Sequence, residues 1–165
     1  MGDAYEETID GERIDRRRQS ETHDVLVSRL HRLVAESLPL NSALRLHPPQ
    51  TGLILTDHVT LRPDLTLLRA RRLPGSDTIA YDAYLVAEVL QPGDHHLDTV
   101  VKKQIYADHR LPRLWMVDPR YLNVEVYAAG EYGFTLLDIL ANHHPLTDPH
   151  LPGLNCPMHT LFADL

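Results

Sequence analysis

The chain holds a single cysteine, Cys156, in 165 residues. A lone cysteine excludes an internal disulfide framework. No stretch approaches the ~18 consecutive apolar residues of a membrane span. The opening segment, MGDAYEETIDGER, is polar and acidic and lacks an apolar signal core. A cytoplasmic protein is the expectation. No Gly-x-Gly-x-x-Gly follows a strand pattern, and no Gly-x-x-x-x-Gly-Lys-Ser/Thr occurs. These absences speak against a Rossmann domain and a P-loop enzyme. No internal repeat or low-complexity segment is evident.

Positive charge is also scarce, with 16 Lys/Arg against 23 Asp/Glu and a net charge of −7. That argues against a protein that coats nucleic acid by charge alone. It leaves room for a nuclease, whose own carboxylates add to the negative sum. The second half carries most of the excess acid. Two arginine clusters stand out, Arg16-Arg17-Arg18 and Arg69, Arg71 and Arg72. Each either meets a phosphate backbone or caps a solvated loop end.

The length suits one domain spanning 1–165. Residues 5–15 read as a hairpin about Asp10-Gly11. Residues 22–38 read as a helix with a stripe of Leu26, Val27, Leu30, Leu33 and Val34, ended by Pro39; His23 sits at the edge of that face. From 42 to 68 the period becomes strand-like, with Pro63 at a strand start before Asp64. Residues 69–82 read as a loop. YLVAEVL at 84–90 is a nearly continuous apolar run, as in a central strand covered on both faces, broken by Glu88. A helix is predicted over 94–109, with Leu97, Val101 and Ile105 as its apolar stripe and Asp98, Lys102 and Tyr106 beside it at spacing four. RLWMVD is a further strand, and 123–129 with 132–140 a hairpin. The Pro- and His-rich tail ends in a short helix or turn near 158–165. The order predicts an α/β (α+β) fold, a central mixed sheet flanked by helices.

Glu88 is the most informative residue, because a carboxylate in an apolar strand is costly unless paired or metal-bound. Val86 and Leu90 share its face, so it should point to a cleft. Asp64 is similar, and two acids from neighbouring strands could converge on one hard divalent ion. The competing reading is two separate salt-bridged carboxylates. Lys102 either bends over the sheet end toward these acids or faces solvent, paired with Asp98 or Asp94. Periodicity alone does not choose. Lys103 lies about 100° round the helix and is a poorer candidate. His95-His96 could donate to phosphate, although loop histidines are common. Cys156-x-x-His159 with His143-His144 does not form a recognised zinc site. Trp115 is expected to pack in the sheet.

The segments EETIDGE (6–12), RPDLTLLR (62–69), AEVLQPGDHHLDTVVKKQIYADHRLPRLWMVDP (87–119), NVEVY (123–127) and LPGLNCPM (151–158) resemble the Uma-two family. That family, formerly a domain of unknown function, is described as "putative restriction endonuclease" and belongs to the PD-(D/E)xK nuclease superfamily. The resemblance covers about residues 5–162 and implies a restriction-endonuclease-like core. It places the metal-binding acids on Asp64 and Glu88. Leu90 stands where the usual Glu-x-Lys lysine would be, and Lys102 matches the migrated lysine on the following helix. His23, Asp98 and Tyr106 match accessory positions, with His95 nearby. Gln91 replaces the small hydroxyl residue that commonly precedes the proline. The resemblance implies a Mg²⁺ (or Mn²⁺) ion on Asp64 and Glu88, water aligned by Lys102, and hydrolysis of double-stranded DNA by a homodimer. Two rival classes remain. One is a catalytically inactive nuclease-fold module binding nucleic acid or a protein partner. The other is a regulatory module of a toxin–antitoxin or mobile-element setting.

Overall fold

The computed structural model describes residues 4–16 and 19–165; Arg17 and Arg18 of the first arginine cluster lie outside the described residues. A hairpin opens the chain, β1 (Tyr5–Ile9) and β2 (Glu12–Arg16), in register from Tyr5 opposite Arg16 to Ile9 opposite Glu12. Asp10 and Gly11 both take positive φ, 53° and 80°, which is what a two-residue turn between twisted strands requires. Helix α1 (Glu21–Ser37) follows. Its N-cap, Ser20, accepts a bond from the His23 amide at 3.1 Å, and Glu21 and Asp24 place acid at the positive helix end.

Six strands form the main sheet in the order β10-β9-β8-β7-β6-β3. They are β3 (Leu44–Leu46), β6 (Leu65–Arg72), β7 (Ile79–Val89), β8 (Arg113–Asp118), β9 (Asn123–Gly130) and β10 (Gly133–Ala141). Only the β7–β8 pair is parallel, so the sheet is mixed. As the apolar run predicts, residues 84–90 lie centrally, between the strand that begins beside Asp64 and the strand holding Trp115. A smaller sheet, β2-β1-β5-β4, is completed by β4 (Leu53–Thr56) and β5 (Val59–Leu61).

The strand period sorts β7 between two cores. Leu85, Ala87 and Val89 face α1, where Leu26, Leu30 and Val34 are buried. Each of those side chains gains about 1.5–3 kcal/mol from leaving water. Val86 and Leu90 face the other way, against Ile9, Val59 and Leu61 of the smaller sheet and against Tyr106, Leu111, Leu114 and Met116. The smaller sheet therefore covers the face of the main sheet from which Glu88 projects.

Three expectations need correction. Residues 69–82 are not a loop: β6 runs to Arg72 and β7 begins at Ile79, leaving a short connection. The tail contains two strands, β11 (Pro145–Asp148) and β12 (Leu151–Pro157), before α3 (Met158–Leu161); β12 packs beside α1. The helix after β7 is a π-helical segment, Leu97–Lys102, running into α2 (Lys103–Asp108). Its polar line is the buried one: Asp98, Lys102 and Tyr106 are at most 2 % exposed, whereas Leu97, Val101 and Ile105 are half-buried and Val100 is exposed.

Candidate active site

The elements deliver six ionisable groups to one buried place. Glu88 projects from the end of β7. Lys102 and Asp98 come from the π-helical segment, Asp64 from the bend before β6, and Glu7 and Arg16 from the opening hairpin. The Lys102 ammonium lies 2.7 Å from Glu88 Oε1, 2.9 Å from Glu7 Oε1 and 3.7 Å from Asp98 Oδ1. The two shorter contacts are at the distance of charge-assisted hydrogen bonds. Tyr106 donates its hydroxyl to Glu88 Oε1 at 2.5 Å.

Asp64 is held from one side. Its Oδ2 accepts the Val89 amide at 2.8 Å and lies 3.1 Å from His23 Nε2. Its Oδ1 is buried without a hydrogen-bond partner. An unsatisfied buried carboxylate oxygen costs about 1–3 kcal/mol or more, so it marks a place where a donor or a cation belongs. His31 Nε2 bonds the Asp64 carbonyl at 2.8 Å and fixes the bend from α1.

Sequence reasoning did not foresee Glu7 and Arg16. Glu7 Oε1 accepts the Arg62 amide at 2.7 Å, and Glu7 Oε2 meets Arg16 at 3.1 Å. Arg16 also bonds both oxygens of Asp98, at 2.9 and 3.1 Å. It is thus neither a phosphate-binding surface arginine nor a solvated loop end. A signal existed: Tyr5, Glu7 and Ile9 share one face of β1, so an acid stands on the strand's apolar side. Gln91 has a structural task, its Oε1 accepting the Ser20 amide at 2.9 Å and tying the start of α1 to the end of β7. His95 is exposed, bonds Thr99 in its own helical turn, and acts on the charge of Asp118. Lys103 turns away, its ammonium 3.8 Å from the centre of the Tyr127 ring. Trp115 is fully buried in the core beneath α1.

Four buried carboxylates (Glu7, Asp64, Glu88 and Asp98) face two permanent cations, Lys102 and Arg16. The imbalance appears in their protonation. Burial first, then the charges of Asp98, Asp64 and Glu7, push Glu88 up to about 8 against the pull of Lys102. Burial also raises Asp98. Burial opposes ionisation of Asp64 too, but His23, the Val89 amide and Lys102 outweigh it and hold the carboxyl below its usual range. The Lys102 ammonium is stabilised by Glu88, Glu7 and Asp98 despite its burial, and its value rises.

These donors fit a hard divalent cation. One oxygen of Asp64 is free, and Glu88 carries a proton that a cation could replace. Mg²⁺ commonly takes one or two carboxylates and keeps several waters. Among the described residues no group of three or more His, Cys, Asp or Glu is arranged to hold a metal, so the protein would supply only part of the ligand set. The expected open cleft is not found: Asp64, Glu88 and Lys102 are 3 %, 1 % and 0 % exposed, beneath a roof made by Glu7 and Arg16 of the hairpin.

The fold, a central mixed sheet flanked by helices, is restriction-endonuclease-like. The chain belongs to the Uma2 family, described as "Putative restriction endonuclease", which it matches over residues 1–159. It is similar to a crystal structure described as "a putative nuclease belonging to DUF820 from Anabaena variabilis", with a TM-score of 0.77 at 15 % identity. That likeness covers 96 % of this chain and 89 % of the other and shows the fold. No curated protein matches the chain. No helix among the described residues is long and apolar enough to cross a membrane.

Proposed function

We propose that the chain, as a single restriction-endonuclease-like domain, is a metal-dependent endonuclease hydrolysing DNA phosphodiester bonds, with Asp64 and Glu88 as ligands of a Mg²⁺ or Mn²⁺ ion. The observation that carries this reading is the partnerless Oδ1 of Asp64 in the cluster that holds Glu88 and Lys102. The bound ion would activate water and stabilise charge on the phosphate oxygens. His23 and the Val89 amide fix Asp64 through Oδ2 and so leave Oδ1 to face the ion. Tyr106 holds Glu88 in place. Lys102, kept charged by its carboxylate neighbours, is set to neutralise a phosphate oxygen or align the attacking water. For a phosphodiester to reach Lys102, the β1–β2 hairpin must move outward. That motion would break the hydrogen bond from the Gly11 amide to His58, those from Arg62 to Glu6 and Glu7, and the Arg16–Asp98 pair, along with the single β1–β5 register pair of Thr8 with Thr60.

A duplex substrate and a homodimer, one site per strand, complete the proposal. The closed roof favours one rival, a nuclease-fold module that binds without cutting, because Arg16 already neutralises part of the acid. Incubating the pure protein with supercoiled plasmid in Mg²⁺, Mn²⁺ or EDTA, beside Asp64→Ala, separates the two. Nicked or linear product that requires the metal and Asp64 supports the endonuclease; none under any condition supports the rival.

A further inference from the structure

Glu7 is held in the way a bound anion is held. Its Oε1 lies 2.9 Å from the Lys102 ammonium and accepts the Arg62 amide at 2.7 Å, and its Oε2 meets Arg16 at 3.1 Å. The side chain is buried. Burial opposes its charge, but Lys102 and Arg16 outweigh that and keep the carboxyl below its usual range. A lysine, an arginine and a backbone N–H around two oxygens are also the partners that a nucleic-acid phosphate takes.

These donors belong to two different parts of the fold. Arg16 lies on the opening hairpin, as Glu7 does. Lys102 and the Arg62 amide do not. Lys102 sits on the π-helical segment and also touches Glu88, and Arg62 follows β5, two residues before Asp64. When the hairpin lifts, Glu7 and Arg16 leave together. Lys102 and the Arg62 amide stay beside Asp64 and Glu88 and have lost the anion they shared. The Arg62 guanidinium stands at the same rim, bonded to the carbonyl oxygens of Glu6 and Gln50. A phosphodiester carries one negative charge, as ionised Glu7 does, so one can replace the other without changing the charge held by these donors.

Resting on the endonuclease reading, we propose that Lys102 and the Arg62 amide form the seat of the substrate's phosphodiester, and that Glu7 fills this seat from within the chain. The β1–β2 hairpin is then an autoinhibitory plug, and DNA competes with Glu7 for the same two donors.

Fluorescence anisotropy in EDTA tests this apart from catalysis, using the full chain and a fluorescein-labelled duplex oligonucleotide. Glu7→Gln removes the charge of the plug, keeps its shape, and lessens the excess of buried acid over Lys102 and Arg16. It should tighten duplex binding about tenfold, as the open fraction of the chain rises. Glu6→Gln makes the same charge change one residue away, at an exposed position paired with Arg13. As a distant surface charge it should alter binding by less than about twofold. Inorganic phosphate gives a second readout. At a few times its Kd it should raise the melting temperature of Glu7→Ala, whose seat is vacated, by about 2–4 °C, and leave the unsubstituted chain unmoved. Where Glu7→Ala does not fold, the binding by Glu7→Gln decides alone. With Mg²⁺, Glu7→Gln should cut plasmid with a lower KM and little change in kcat. Equal duplex binding by Glu7→Gln and the unsubstituted chain, an equal gain from Glu6→Gln, no phosphate effect on folded Glu7→Ala, or loss of Mn²⁺ affinity in Glu7→Gln (the mark of a metal ligand) would each overturn the proposal. Tighter binding by Glu7→Gln without metal-dependent cleavage would sink the endonuclease reading and leave the seat; cleavage with duplex binding unchanged in Glu7→Gln would do the reverse.

Discussion

Arg16 and Asp98 are 82 residues apart in the chain, yet their side chains meet at 2.9 Å with both buried. This pair clamps the opening hairpin to the π-helical segment. Arg16→Met would leave the Asp98 and Glu7 carboxylates with Lys102 alone as their cation, at a cost of about 3–5 kcal/mol. Adding Asp98→Asn should recover much of that loss, because the stranded charge goes with it. A double-mutant cycle in urea checks the coupling; additive losses would mean that the pair is not coupled.

Lys102→Met should reduce turnover by about 10²–10⁴-fold, while calorimetric Mn²⁺ affinity changes much less. The lysine faces the reacting phosphate or water in this scheme and is not a ligand. Equal losses of affinity and turnover would argue against that role.

Glu88→Gln and Asp64→Asn should part company in stability. At pH 6 Glu88 is largely protonated, since its value stands at about 8. A neutral amide therefore replaces a neutral acid, and the metal-free melting temperature should hold or rise. Asp64 is ionised and tied to His23, so Asp64→Asn should lower it. Both variants should abolish metal-dependent cleavage. Melting curves showing equal destabilisation would contradict this division.

The pH profile of the metal-free chain follows from the same groups. Between an ordinary carboxylate value of 4.5 and about 8, folded Glu88 keeps a proton that the unfolded chain has released. Stability therefore falls as pH rises through that window. Asp98, also raised, adds to the fall above its ordinary 3.8. His23, raised above 6.5, contributes stability below that value and loses it as pH climbs through its folded value. Asp64 and Glu7 are lowered, so their contributions disappear only in acid, below 3.8 and 4.5 respectively. Scanning calorimetry should show a lower melting temperature at pH 8 than at pH 5, with Glu88→Gln flattening the slope. Saturating Mg²⁺ should raise the melting temperature more at pH 9 than at pH 6, because Glu88 has lost most of its proton only above about 8.

The proposed homodimer should be visible by light scattering at roughly tens of micromolar, where a micromolar dimer forms. It should not extend the main sheet through β10. That edge carries a bulge between Leu136 and Asp138, and the Ile139 amide is already taken by the Asp138 side chain at 2.8 Å. Such features blunt edge pairing.

The central strand and Glu88 were legible because a lone charge in an apolar run needs a partner. Lys102 was harder to place by period, although it and Lys103 are the chain's only lysines. Its burial depends on the π-helical turn, for which the sequence carries no plain code and which turns the polar line inward. Residues 69–82 misled because the far ends of β6 and β7 are largely exposed on both faces. Backbone pairing holds them, and the side chains carry no alternation to read. The tail strands were hidden by proline, which sits at strand ends and edges in β11 and β12. Glu7 and Arg16 were missed because ion pairs across such chain distances leave no local spacing.

The clamp between the hairpin and the π-helical segment also orders events during synthesis. The hairpin leaves the ribosome first, at about 5–20 residues per second, with its buried arginine and glutamate still hydrated. Their partners, Asp98 and Lys102, emerge only after β7 has been made. A nascent chain stopped before residue 98 therefore has neither roof nor lysine in place, and the buried cluster of charges cannot assemble until β7 and the π-helical segment after it have both been made.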